Sequence, residues 1–229
     1  MTPVPTPHLS RMGGLAVLFV MATEQEYGPF LKRLIKPVIT GVGPVEAAAA
    51  TGSALAMLAA AGSLPDLVLS VGSAGSRTLD HAAIYQIASV AYRDMDVSAL
   101  GFEKGVTPFA DLPAVIPVAH RIPGIPAASI STGANIVSGA TYDAIDADMV
   151  DMESFAVLRA AHRFGVPMVG LRGISDGRND LTGLHDWTEY LHVIDQKLAV
   201  ALEDFAGHVT AGRFRLDVAM TIAGRAGLG

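Results

Sequence analysis

Apolar residues fall along this chain in two rhythms. Leu15–Met21 (LAVLFVM) and Leu67–Val71 (LVLSV) are short, nearly unbroken runs, and Val166–Ser175 is a third. Such runs, rich in branched residues, suit strands buried on both faces. Ala82–Tyr92 reads as a longer strand and Val38–Thr40 as a brief one. Elsewhere the spacing is helical. Gly28-Pro29 falls near the start of a short helix reaching Ile35. Gly41-Val42-Gly43-Pro44 leads into an Ala-rich helix within Val42–Ala61, with Pro44 suited to its first turn. A helix over Met152–Phe164 sets Val157, Ala160, Ala161 and Phe164 on one face, and Gly165 stops it. Trp187–Phe205 carries a stripe at Leu191, Ile194, Leu198, Leu202 and Phe205. Leu100–Ile125, broken by Pro108, Pro113, Pro117 and Pro123, reads as loop with short strand pieces.

Strands alternating with helices predict the α/β class. The expected architecture is one three-layer α/β/α domain over residues 13–207, with a mixed central sheet and helices on both faces. Residues 1–12, with Pro3, Pro5 and Pro7, read as a flexible tail, and residues 208–229 as a C-terminal tail. No internal repeat stands out.

Composition narrows the function classes. Of 229 residues, 51% are hydrophobic and 17% charged, enough apolar surface to build a core and to exclude global disorder. Sixteen Lys and Arg against 22 Asp and Glu leave a net charge of -6, with no basic block. A nucleic-acid partner is therefore not expected, because phosphate backbones demand clustered cations. The chain has no cysteine, which removes disulfides, thiolate metal sites and cysteine nucleophiles. Its seven histidines form no H-x-x-x-H or H-x-x-H pair, so neither a metal nor a cofactor is expected. Gly13–Ala22 could pass for a leader's apolar core, but a buried first strand is the expected reading. Val42–Ala61 lacks the bulky run of a membrane span. A cytoplasmic protein without a membrane partner is expected.

Ligands of open α/β sheets bind beyond the carboxyl ends of the strands. There this chain places Glu24 and Glu26, then Gly72, Ser73 and Gly75, then Asp176, with Asp151 and Glu153 at a helix start. Each has a plain structural reading: helix-end acids favoured by the macrodipole, an Asx turn at Asp176-Gly177, a turn serine between glycines. VGSAG misses the G-x-S-x-G nucleophile elbow because Val71 holds the first glycine position. Gly41-Val42-Gly43 is no dinucleotide fingerprint, since Glu46 occupies the third glycine position. It is the joint placement that points to a site.

Three motifs in order carry a resemblance: Val71-Gly72-Ser73-Ala74-Gly75, Val150-Asp151-Met152-Glu153-Ser154 and Arg172-Gly173-Ile174-Ser175-Asp176. They resemble the nucleoside phosphorylase/nucleosidase superfamily, and within it most the 5'-methylthioadenosine/S-adenosylhomocysteine nucleosidases. Met21–Glu26 is similar to that branch's acidic first loop, and Asp96–Phe102 to its segment after the central strand. The resemblance covers about Leu15 to Phe205. It implies cleavage of the N-glycosidic bond of an adenine nucleoside through an oxocarbenium-like ribosyl cation. Asp176 would be the acid that protonates purine N7, oriented by Ser175, and Glu26 the base that activates water. Glu153 would bind ribose hydroxyls, with Met152 packed on the sugar and Ser73 and Arg172 near the water. Gly75 and Ile136 complete the implied substrate-binding set. Asn135 falls where the branch carries its adenine-stacking aromatic. The resemblance further implies a homodimer, with Leu100, Phe102 and Pro108 reaching the neighbour's pocket.

The alternative is a phosphate-dependent purine nucleoside phosphorylase. The hexameric phosphorylases carry an Arg just before their glycine turn and another in a G-D-P-x-R first loop. Here Ser70 and Thr23-Glu24-Gln25-Glu26 stand there. Acids where a phosphate dianion would sit favour water as nucleophile.

Overall fold

The computed structural model describes residues 7–177 and 183–216. Its strands are β1 (Leu9–Met12), β2 (Leu15–Met21), β3 (Val38–Ile39), β4 (Leu67–Gly75), β5 (Ile84–Tyr92), β6 (Val115–Pro117), β7 (Ala127–Thr132), β8 (Met149–Asp151) and β9 (Met168–Asp176). Its helices are α1 (Pro44–Ala60), α2 (Ser154–Arg163), α3 (Leu184–Thr188) and α4 (Leu191–Thr210).

The fold is a mixed sheet between helices. β2 pairs in parallel with β4, and β4 in parallel with β9. β5 lies antiparallel to β9 and parallel to β7. β7 runs parallel to β8, and β8 returns to β4 through Gly75↔Val150. The expected sheet with helices on both faces is present, but five of its strands close into a ring. The ring draws the carboxyl ends of β4 and β9 and the start of α2 toward one place.

The unbroken apolar runs follow from burial on both faces. Leu18, Val20 and Val68 join a core with Ala54 and Leu55 of α1 and Val157 and Leu158 of α2. Their alternates Val17, Phe19, Met21, Leu67, Leu69 and Val71 join a second core with Ile194, Leu198, Leu202 and Phe205 of α4. Each fully buried side chain of this size contributes about 1.5–3 kcal/mol of transfer free energy. Leu15–Met21, the run that could pass for a leader, is thus a paired strand. Among the described residues no helix is long and apolar enough to cross a membrane.

Several boundaries differ from those expected. Leu9–Met12, placed in the flexible tail, is a strand antiparallel to β2. The helix expected over Trp187–Phe205 is two helices broken at Glu189–Tyr190, and α4 runs past Gly207 to Thr210. β4 continues through the glycine motif to Gly75, where pairing with β9 shifts register and sets Gly75 opposite Asp176. β7 and β8 were not anticipated. The remainders of the two expected tails, residues 1–6 and 217–229, lie outside the described residues.

Candidate active site

A cavity of about 230 Å³ opens where β2, β4, β8 and β9 end. Glu26, Ser73, Gly75 and Asp176 line it, as do Met152, Glu153, Ser175 and Ile136.

One end is built around Glu26. The loop after β2 turns this side chain inward, leaving it 7% exposed, while its neighbour Glu24 stays exposed. Oε1 accepts hydrogen bonds from the Ser73 amide and the Ser73 hydroxyl, each at 2.7 Å. The Ser73 hydroxyl in turn accepts from Trp187 Nε1 at 3.0 Å. Oε2 has no hydrogen-bond partner among the described residues. Burial pushes the Glu26 carboxyl up from its ordinary range, while the Ser73 hydrogen bonds and the Arg172 charge pull it back. Beside it lies a smaller cavity of about 10 Å³, lined by Glu26, Ser73, Glu153 and Arg172. That is the space needed for one water molecule.

The other end is Asp176. Ser175 donates to its Oδ2 at 2.7 Å. Burial raises the Asp176 carboxyl; the Ser175 hydrogen bond and then His81 act against this. The register shift at Gly75 is what aims this last residue of β9 at the cavity, since a bulge re-aims a strand's side chains.

Between the two ends lies Glu153, just before α2. Its Oε1 accepts from the Gly43 amide at 2.8 Å. Burial, and then the charge of Asp151, push its carboxyl up to about 7. Three carboxyls thus face one cavity with their charge under strain, an arrangement that favours a cationic sugar.

Arg172 lies behind this wall rather than in it. It is 3% exposed, absent from the main cavity's lining, and paired with buried Asp151 at 3.0 Å. It also donates to the Ser70 carbonyl and to the hydroxyls of Ser70 and Ser154. Asp151 accepts further bonds from Thr132 and Ser154. Removing one partner of such a buried pair costs about 3–5 kcal/mol, so the network is first a scaffold. Leu100, Phe102 and Pro108 do not line the cavity of their own chain. Leu100 is 76% exposed and its neighbour Phe109 97% exposed.

Two lining residues were not anticipated. Trp187 reaches the site because α3 packs against β9 and its indole N–H meets the Ser73 hydroxyl. Arg93, at the end of β5, holds the adjoining wall: it donates to the Ser131, Asp151 and Asn135 carbonyls and to Asn135 Oδ1. Asn135 is therefore part of a polar clamp where an aromatic face was the family expectation. Neither residue sits in a motif, so only their convergence in space reveals them.

Residues 130–209 match the family profile of the phosphorylase superfamily. A 5'-methylthioadenosine/S-adenosylhomocysteine nucleosidase of Actinobacillus succinogenes is 31% identical over 172 residues, 67% of this chain and 72% of that protein. The enzyme of that name from Haemophilus influenzae is 34% identical over 157 residues, 60% of this chain and 66% of that protein. In solved structures, the Helicobacter pylori nucleosidase of this name superposes with a TM-score of 0.71 at 20% identity, covering 84% of this chain and 97% of that one. A futalosine hydrolase mutant from the same organism superposes with a TM-score of 0.70 at 20% identity, covering 84% and 98%. The fold is that of the phosphorylase superfamily. Within it, the chain belongs to the family of 5'-methylthioadenosine/S-adenosylhomocysteine nucleosidases.

Proposed function

We propose that the chain hydrolyses the N-glycosidic bond of adenine nucleosides of the 5'-methylthioadenosine/S-adenosylhomocysteine type and releases adenine. The observation that carries this is one cavity with Glu26 at one end and Asp176 at the other, both carboxyls raised by burial. Asp176 delivers its proton to N7 of the purine, and the C1'–N9 electron pair leaves with the base. Glu26 takes a proton from water, whose oxygen bonds to C1'. Glu153 accepts hydrogen bonds from the ribose hydroxyls, which favour its ionised form and so place a negative charge beside the cationic sugar. The names of the relatives support the substrate class.

Phosphorolysis is disfavoured by the arginines. Phosphate needs cations that face it with donors to spare. Arg172 and Arg93 are both committed to internal acceptors, and the Ser70 hydroxyl is taken up by Arg172. Adenine release from methylthioadenosine, S-adenosylhomocysteine and adenosine is therefore expected at the same rate with and without phosphate, with a free sugar as co-product. A sugar 1-phosphate as the main product would overturn the assignment.

We further propose a homodimer. Leu100 and Phe109 project from an apolar loop, and Ile136, 68% exposed, stands at the cavity mouth. Light scattering at micromolar concentration is expected to give twice the chain mass; the mass of one chain counts against it.

A further inference from the structure

Among the buried polar groups that the reaction as described leaves unused is Tyr142. Tyr142 stands in the 3₁₀ turn Gly139–Ala144, 8% exposed, with its ring packed among Val137 and Val150. Among the described residues its hydroxyl has no hydrogen-bond partner, which is uncommon for a buried polar atom in a native fold.

Its position is specific. A Cβ added to Gly75 would lie 2.5 Å from this hydroxyl and 2.7 Å from Asp176 Oδ1, so phenol and carboxyl flank one point. A Cβ on Gly177 would meet the same hydroxyl and the Ser76 amide. Gly75 is the partner of Asp176 across the sheet and Gly177 follows it in the chain. Both positions beside the acid are bare, and the Tyr142 oxygen occupies the space. Arg77 fixes the turn that presents it. Its guanidinium lies 5.3 Å from the Tyr142 ring centroid, pairs with Asp143 at 2.5 Å and donates to the Gly139 carbonyl. Ser175 already holds Asp176 Oδ2; Oδ1, on the Tyr142 side, accepts from no described residue.

We propose that Tyr142 is a positioning residue for the acid: its hydroxyl donates to Oδ1 of Asp176, aims the carboxyl proton into the cavity, and stabilises the carboxylate left when that proton moves to the purine. This rests on Asp176 being the acid. In the structure the two groups are neighbours without a hydrogen bond, and the proposal requires the carboxyl and the phenol to close it. The proton that moves is that of Asp176; Tyr142 keeps its own. Burial, and the Asp176 charge next, push the phenol's ionisation far above its ordinary range, so it acts as a neutral donor. The other charged or titratable groups bearing on the pair are His81, from the loop before β5, on Asp176, and Arg77 and Arg93 on Tyr142.

Tyr142→Phe removes only the hydroxyl. We expect kcat to fall about tenfold with KM little changed, because a hydrogen bond to a charged group strengthens as the carboxylate forms. Activity requires protonated Asp176 and is lost as pH rises through its pKa. With one donor fewer the carboxylate is less stable, so the alkaline limb of kcat moves up by about one pH unit. The melting temperature should not fall, since an unpaired buried hydroxyl has gone. In an Asp176→Asn background the change should have no further effect. An unmoved limb, or an equal loss in the Asp176→Asn background, overturns the role of Tyr142 alone. Wild-type kcat in Asp176→Asn itself overturns the acid first, and this role with it.

Discussion

Asp176→Asn is expected to lower kcat by about 10²–10⁴-fold, or roughly 3–5 kcal/mol of barrier, the usual worth of a general acid. An ordinary Asp, with a pKa of about 3.9, would be ionised at neutral pH and useless as an acid. Here burial raises the carboxyl, against Ser175 and His81, which is the direction a general acid requires. Asparagine keeps the shape and can still accept from Ser175, but it delivers no proton. The loss should fall on kcat rather than KM, because protonation matters most in the transition state. Melting should be nearly unaffected, as no cavity opens. An Asx turn at Asp176-Gly177 predicts the reverse, since Asn serves that turn equally well. Near-wild-type kcat in this variant, with a nucleoside the parent cleaves, removes Asp176 as the acid.

Glu26→Gln is expected to cost a comparable factor, about 10²–10⁴-fold in kcat, through the opposite proton. Glutamine can keep the two hydrogen bonds from Ser73 to its carbonyl oxygen, so the loop and the link to Trp187 survive. It cannot take a proton from water. The mechanism requires Glu26 ionised while Asp176 is protonated. Two hydrogen bonds from Ser73 and the Arg172 charge favour the Glu26 anion against its burial, whereas at Asp176 the Ser175 hydrogen bond and His81 act against burial. Activity in the parent should therefore fall at low pH as Glu26 is protonated and at high pH as Asp176 ionises. Glu26→Gln should lose the acid limb from what activity remains. Trp187, the chain's one tryptophan, gives a binding signal independent of turnover. Ligand-induced change in its fluorescence should persist in the variant. Parental kcat, or loss of both the binding signal and the folded state, would defeat the assignment of Glu26 as base.

How far the sequence reaches can be judged element by element. β2, β4 and β9 are legible because strands buried on both faces need apolar residues at every position. Glu26 and Asp176 stand out because they come after β2 and at the end of β9, and Glu153 because it stands at the start of a helix. β7 (AASIST) was missed because small and polar residues dilute its signal, and β8 because three residues cannot show a period. The break between α3 and α4 was missed because neither Gly nor Pro marks Glu189–Tyr190, so the apolar stripe reads straight through.

The linear pattern by itself determined the α/β class, both core-facing sides of the central strands, and the chemical types gathered at the strand ends. It could do so because burial and helical or extended periodicity act over a few residues. Which groups face one another was decided only by the tertiary structure. Pairing of β8 with β4 joins positions 75 residues apart and closes the ring. That closure turns Arg172 inward onto Asp151, and the fold brings Trp187 and Arg93 to the cavity and Tyr142 to the side of Gly75 from three unrelated segments. It also creates the burial that raises Glu26, Glu153 and Asp176. Desolvation is a property of the surrounding packed atoms, and no local spacing encodes it.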